Sequence, residues 1–289
     1  MKLLLLFFLL LCGWYTAVPA QSVRVNTAII QLIDSAQKAF CENDTSKTIA
    51  LLERISQLYP TDPMVVSTNK VLADLYLAKH QIAAAKARLI YAFTYMPTGN
   101  RFLLEKDTCG RRLNLSNNYG LAKADVCVAL SQLYFGEKRF DSSGYYLRLA
   151  DREYLPYQDC LNGVHSYQAF LSPYFADYYL AIGDRDKAIA RLLDFFMNRD
   201  GDMVLIVRKL QAILLQHWTQ KEIKRQVKKG LRQMKFTEAE DDRFRISLTL
   251  FGHTINSVGY GDRRHYKVMY RKNPGIIMLQ EEKTAIGIW

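Results

Sequence analysis

VSTNKVLADLYLAKHQIAAAKARLIYAFTYMPTG, from Val66 to Gly99, decides how the rest of this 289-residue chain is read. Small Ala73 stands three positions before aromatic Tyr76. Ala85, Leu89 and Ala92 follow at intervals of four and three, and Pro97 closes the stretch. Steps of three and four set side chains on one helical face. Small residues let two helices approach closely, and large ones fill the holes between one helix pair and the next. Each pair leaves a face that only a neighbour can cover, so such units stack.

The pattern recurs along the chain. From about 124 to 157, Leu130, Ser131, Tyr134, Phe140, Ser143, Leu147 and Ala150 keep the same register. From about 169 to 202, Phe175, Ala176, Tyr179, Gly183, Asp184, Ala188 and Leu192 do so again. A more degenerate copy runs from about 29 to 62, with Ala36, Leu52, Ile55 and Pro60. The third unit starts 58 residues after the second and the fourth 45 after the third. This resembles the tetratricopeptide repeat, a 34-residue helix–turn–helix unit. In that family small residues occupy the eighth and twentieth positions, an aromatic the eleventh, a large apolar residue the twenty-fourth and Ala the twenty-seventh. The run Gly183-Asp184-Arg185-Asp186-Lys187-Ala188-Ile189 looks like the turn between the family's two helices. The resemblance covers roughly 27–202, and a generic all-α bundle is the alternative. It implies a mainly α fold, a helical-hairpin solenoid, that binds a protein or peptide along a groove lined by the first helix of each pair. The groove candidates are Asn69, Lys70, Asp74, Asp125, Gln132 and Asp177, placed within a turn or two of Tyr76, Tyr134 and Tyr179.

Residues 1–20 read as a signal peptide: Lys2, an apolar run from Leu3 to Leu11, and small residues around Val18-Pro19-Ala20. That run is shorter than the ~20 residues of a spanning helix. A soluble, exported protein is expected, periplasmic, outer-membrane-associated or secreted. An uncleaved anchor is one competing reading. Lipidation at Cys12 is another, although Leu11 before it is bulkier than such sites favour. Export permits disulfides, and Cys41, Cys109, Cys127 and Cys160 remain after cleavage. The repeat register puts Cys109 and Cys160 at successive unit junctions on one edge of a solenoid, which makes them the expected pair. Cys127 is expected buried, and Cys41 is compatible with a free thiol.

The formal charge is +11. It is concentrated in the last third, where residues 201–289 hold 17 Lys and Arg against nine Asp and Glu. This expected third region, 203–289, follows a solenoid over 21–202 and reads as a small α+β module. An apolar helix spans 203–217. Thr219-Gln220-Lys221-Glu222 is a capping box that opens a second helix. On that helix Lys221, Lys224, Arg225, Lys228, Lys229 and Arg232 recur at helical spacing and form one basic stripe, opposite Ile223, Val227, Leu231 and Met234. The stripe reads either as the solvated face of a capping helix or as a surface for an anionic membrane, glycan or acidic protein. Strict alternation from Arg243 to Leu250 predicts a half-buried strand. Tyr266, Val268 and Tyr270 predict a second strand after a glycine-containing loop, and a two-stranded hairpin, marginal alone, is expected either to pack on the last helices or to gain a third strand from 275–289. A helix from Thr237 to Phe251 competes with this reading.

No nucleophile elbow, phosphate loop or metal-ligand spacing is present in the sequence. His253, His265 and Asp262 are the one weak constellation, if the hairpin sets the two imidazoles face to face. The expectation is a non-catalytic binding or scaffold protein with no cofactor, no metal and no nucleic-acid partner. A surface protein held to anionic membrane or glycan by its basic module is the alternative, and an enzyme built on that module is a third.

Overall fold

A computed structural model describes residues 27–96, 119–154, 161–195, 203–238 and 243–280. The leader, Pro97, Cys109 and Cys160 lie outside the described residues. Among those described, twelve helices precede, flank and follow a small antiparallel sheet. The fold is mainly α, with consecutive packed helix pairs.

Two compact units divide the chain near Pro60. The first contains α1 (Thr27–Cys41) packed on α2 (Thr45–Leu58). Ala36, Ala39, Leu52 and Ile55 form its buried contact. The second unit opens with α3 (Pro63–Ala78) paired with α4 (Ile82–Tyr95), then α5 (Tyr119–Gly136) paired with α6 (Phe140–Leu149). A short π-helical turn, Ala150–Tyr154, extends α6. Next come α7 (Leu161–Ala181) with α8 (Arg185–Leu193), and α9 (Met203–Leu215) followed by α10 (Gln220–Arg232).

One turn is used four times. Between the two helices of each pair stand three residues whose middle member has positive φ: Asn43 (60°), His80 (58°), Lys138 (59°) and Gly183 (81°). In each turn the following residue donates its N–H five residues back. Asp44, Gln81, Arg139 and Asp184 bond to the carbonyls of Ala39, Tyr76, Tyr134 and Tyr179 at 2.9, 2.8, 2.8 and 2.8 Å. A left-handed residue closing a helix in this way satisfies carbonyls that would otherwise have no partner. Asp44 and Asp184 then cap the next helix, each accepting from a backbone N–H three residues on. The turn centres at 80, 138 and 183 keep the spacing of the sequence units.

Packing in the second unit is repeat-like. Each first helix touches the next first helix: α3 meets α5, α5 meets α7 and α7 meets α9. Each second helix touches the following first helix, α4 on α5, α6 on α7 and α8 on α9. The register residues are interior: Leu72, Ala73, Ala85, Leu89, Ala92, Leu130, Leu147, Ala150, Ala176, Ala188 and Leu192 are all within 1 % of complete burial. Ser131 and Ser143, at the two small positions of the third unit, are buried and share a 2.8 Å hydrogen bond. Gly144 lies where a Cβ would come within 2.5 Å of the Tyr178 ring, so its lack of a side chain sets how closely α6 and α7 approach.

The C-terminal part differs from the sequence expectation in its strands. β2 (Arg243–Leu250) is as expected, with Phe244, Ile246, Leu248 and Leu250 facing inward. Its partners are β1 (Lys235–Glu238) on one side and β3 (His253–Tyr260) on the other, both antiparallel. The hairpin turn is only Phe251-Gly252, both at positive φ, as a two-residue turn matched to strand twist requires. The segment expected to be a glycine-containing loop is therefore β3. Gly259 stands opposite Phe244, where a Cβ would meet the Phe244 ring at 2.6 Å. Its role is to admit that ring.

The expected second strand, carrying Tyr266, Val268 and Tyr270, is instead helix α11 (Arg263–Arg271). Asp262 caps it by accepting from the Arg264 N–H at 2.8 Å. Tyr266 and Tyr270 are four apart, which suits one face of a helix as well as one face of a strand. Val268 is exposed, as the helix requires. The third strand of the described sheet is β1, and the described part of the 275–289 segment lies in α12 (Pro274–Gln280). Thr237 and Glu238 pair in β1, so the competing helix from Thr237 is not formed.

One buried cluster joins α7, α8 and α9 to α10, the sheet and the last helices. Ala176, Leu192, Leu210 and Ile213 pack in the same buried cluster as Val227, Ile246, Leu248, Tyr270 and Leu279.

Candidate functional site

Helices α3 and α5 bring three of the groove candidates together. Lys70 and Asp74 form an i,i+4 ion pair at 2.6 Å on the outer side of α3. Asp125 on α5 lies within their electrostatic reach. It accepts a 2.8 Å hydrogen bond from the Tyr167 hydroxyl on α7. Burial raises the Asp125 carboxyl above the usual Asp range, and the Tyr167 bond and Lys70 only partly oppose it. Tyr167 is pushed up in turn, by burial first and by the carboxylate beside it.

The other three candidates diverge. Asn69 is fully buried. Its amide donates to the Val65 carbonyl at 3.2 Å, and its oxygen accepts from Arg88 of α4 at 3.4 Å. It ties a first helix to its second helix and does not line a surface, which corrects its assignment to a groove. Asp177 on α7 is paired with Lys209 of α9, whose ammonium also donates to the Pro173 carbonyl at 3.1 Å. Gln132 is exposed on α5. Tyr167 and Lys209, which join neighbouring units, carry no local sequence signal, because their partners lie 42 and 32 residues away.

The basic residues of the stripe stand on α10. Thr219 and Glu222 exchange hydrogen bonds at the start of α10, Thr219 N–H to Glu222 Oε2 at 2.8 Å and Glu222 N–H to Thr219 Oγ1 at 3.3 Å. The Thr219 backbone N–H and its hydroxyl both donate to the Glu222 carboxylate and hold it below its usual range. Ile223, Val227 and Gly230 bury the opposite face, with α10 packed on β2. At Gly230 a Cβ would lie 2.4 Å from the Thr249 carbonyl oxygen, so helix and strand are nearly in backbone contact. That docking fixes the rotation of α10 and turns the stripe outward. Lys221, Lys224, Arg225, Lys228, Lys229 and Arg232 are all exposed and, with Gln233, line one open groove of about 680 Å³. Among the described residues none of the six joins a salt bridge.

His253 and His265 do not face each other. His253 opens β3 beside the hairpin turn, opposite Leu250. His265 follows β3 on α11, against Tyr266, whose ring meets Phe244 at the far end of the sheet. An eight-residue strand separates its ends by about 23 Å, so the weak constellation is not assembled.

Cys127 is a buried thiol, as expected. Cys41, compatible in the sequence with a free thiol, is disulfide-bonded. The expected Cys109–Cys160 pair lies outside the described residues. No described helix is long and apolar enough to cross a membrane. In comparisons with known proteins, no family model matches the chain and no curated protein matches it significantly.

Proposed function

We propose that this is a non-catalytic, exported binding protein of tetratricopeptide-like build, whose first-helix layer holds a protein or peptide segment. The observation that carries the reading is the four-fold use of one turn, joined to direct contact between successive first helices. Stacked pairs of this kind present a continuous layer of helices, and extended partners are bound along such layers. On α3 and α5 that layer offers Lys70, Asp74, the half-buried Asp125 and the exposed Gln132. Asn69 and Asp177 serve to hold helices together. The tetratricopeptide reading rests on the residue register and the turns. Export to the periplasm, the outer membrane or the medium rests on the leader sequence.

A photo-crosslinking residue at Gln132 tests this, with the exposed Tyr145 of α6 as control. The expected result is one protein trapped in near-stoichiometric amounts from Gln132 in the native envelope, at low and high salt, and not from Tyr145. Equal trapping from both positions, or none, would overturn it.

A further inference from the structure

The layer of first helices leaves the basic face of α10 unused. That face carries six cations between Lys221 and Arg232, eleven steps or about 16 Å of axis at 1.5 Å per residue. The apolar side of α10 is consumed by β2, so the helix cannot roll over and insert. Whatever binds here meets charge at a fixed surface. The groove is open, and among the described residues its lining comes from α10 and Gln233 alone.

Two neighbouring helices add to it. α11 packs against α10 and α12, and α12 packs against α10. α11 exposes Arg264, Lys267 and Arg271 together with Val268, and α12 exposes Ile277. Val268 is 49 % and Ile277 43 % exposed. Arg263 is set apart by its ion pair with Glu238. Cations spread over two packed helices suit a plane of charge better than a single anionic strand. Exposed apolar side chains among them are rewarded at a headgroup boundary and not on a soluble polyanion.

We propose that the α10 face, extended by α11, docks the protein peripherally on an anionic lipid surface. The cations attract phosphate headgroups, Val268 and Ile277 touch the boundary beneath them, and no segment inserts. This proposal is independent of the crosslinking reading, because α10 and α11 contribute nothing to the first-helix layer of α3 and α5.

The test is co-sedimentation of the protein, expressed from the full sequence, with vesicles of phosphatidylglycerol and phosphatidylcholine in equal amounts, or of phosphatidylcholine alone. Binding is expected only to the anionic vesicles and should weaken at least tenfold between about 0.1 M and about 0.5 M salt, as the Debye length shortens. The K224E/K228E/R232E variant should bind more than roughly a hundredfold more weakly, since loss of three basic residues near an anionic surface already accounts for about that factor. K224Q/K228Q/R232Q, which adds no charge to the helix end, should lose part of that affinity. Both are checked for native circular dichroism. Wild-type-level binding by a folded Gln or Glu variant would overturn the proposal. So would equal binding to neutral vesicles, or binding to a soluble polyanion such as heparin with none to vesicles.

Discussion

Substituting Gly230 by Ala tests how the basic helix is held. In an isolated helix the change is favourable by about 1 kcal/mol, because Gly loses more backbone freedom than Ala. Here the new methyl would sit 2.4 Å from the Thr249 carbonyl oxygen and 2.6 Å from Leu250 Cδ2. Relief requires α10 to retreat from β2 by about 1 Å, since ordinary contact begins near 3.4 Å. Backbone stands on both sides of the closest contact, so no side-chain rotation absorbs it. The retreat also loosens Ile223 and Val227 from the buried cluster they share with Ile246 and Leu248. Overpacking of this kind costs about 1–3 kcal/mol. With the closest neighbour being backbone, the upper figure applies. Net destabilisation is therefore about 2 kcal/mol after the propensity gain, a fall in Tm of roughly 4–8 °C for a unit this large. The assay is thermal and urea unfolding of Gly230→Ala beside Gly136→Ala, where nothing lies within 4 Å of the added methyl. A Gly230→Ala protein that melts at or above wild type would refute the close docking of α10 on β2, and with it the fixed outward rotation of the stripe.

The repeated turn predicts opposite effects for opposite changes. Lys138→Gly should stabilise by about 0.5–1 kcal/mol and Gly183→Ala should destabilise by about 1 kcal/mol, since only Gly enters the left-handed region without a Cβ penalty. Urea titration gives both numbers, and equal signs would count against the shared geometry. Asp125→Asn should raise stability at pH 7. The folded carboxyl has a pKa above the ordinary 3.8, so ionising it costs stability as pH rises through that value, and the Asn advantage should vanish below about pH 3.8. A constant advantage at both pH values would remove desolvation as its cause. Thr219→Ala deletes one side of the capping box and should cost about 1 kcal/mol in the same unfolding assay. Under native, non-reducing conditions neither Cys41 nor Cys127 should be alkylated. Denaturant alone should expose Cys127, and Cys41 should need reductant as well, which peptide mass mapping reads directly.

The helical pairs were legible because their causes are local. Small and large residues at steps of three and four define which face is buried, and the register residues named from Ala73 to Leu192 are interior. The capping box at Thr219 and the alternation from Arg243 to Leu250 are equally local, and both elements formed as read. The basic stripe was visible for the same reason, since spacing on one helix fixes a face.

Tertiary structure decided whatever depends on a partner distant in sequence. Tyr266 and Tyr270 fit a helix or a strand by spacing alone, and the choice fell to the helix once Asp262 capped it and Tyr266 met Phe244. Gly259 looked like a loop residue, and only the pairing with Phe244 shows that it makes room for a ring. Among the groove candidates, Asn69 is buried against Arg88 of the next helix and Asp177 is tied to Lys209 two helices on, while Gln132 stayed exposed. A polar side chain on a helix is assigned to a face by its own sequence, but whether that face meets water or another helix depends on chain tens of residues away. Periodicity in one segment contains no term for that neighbour.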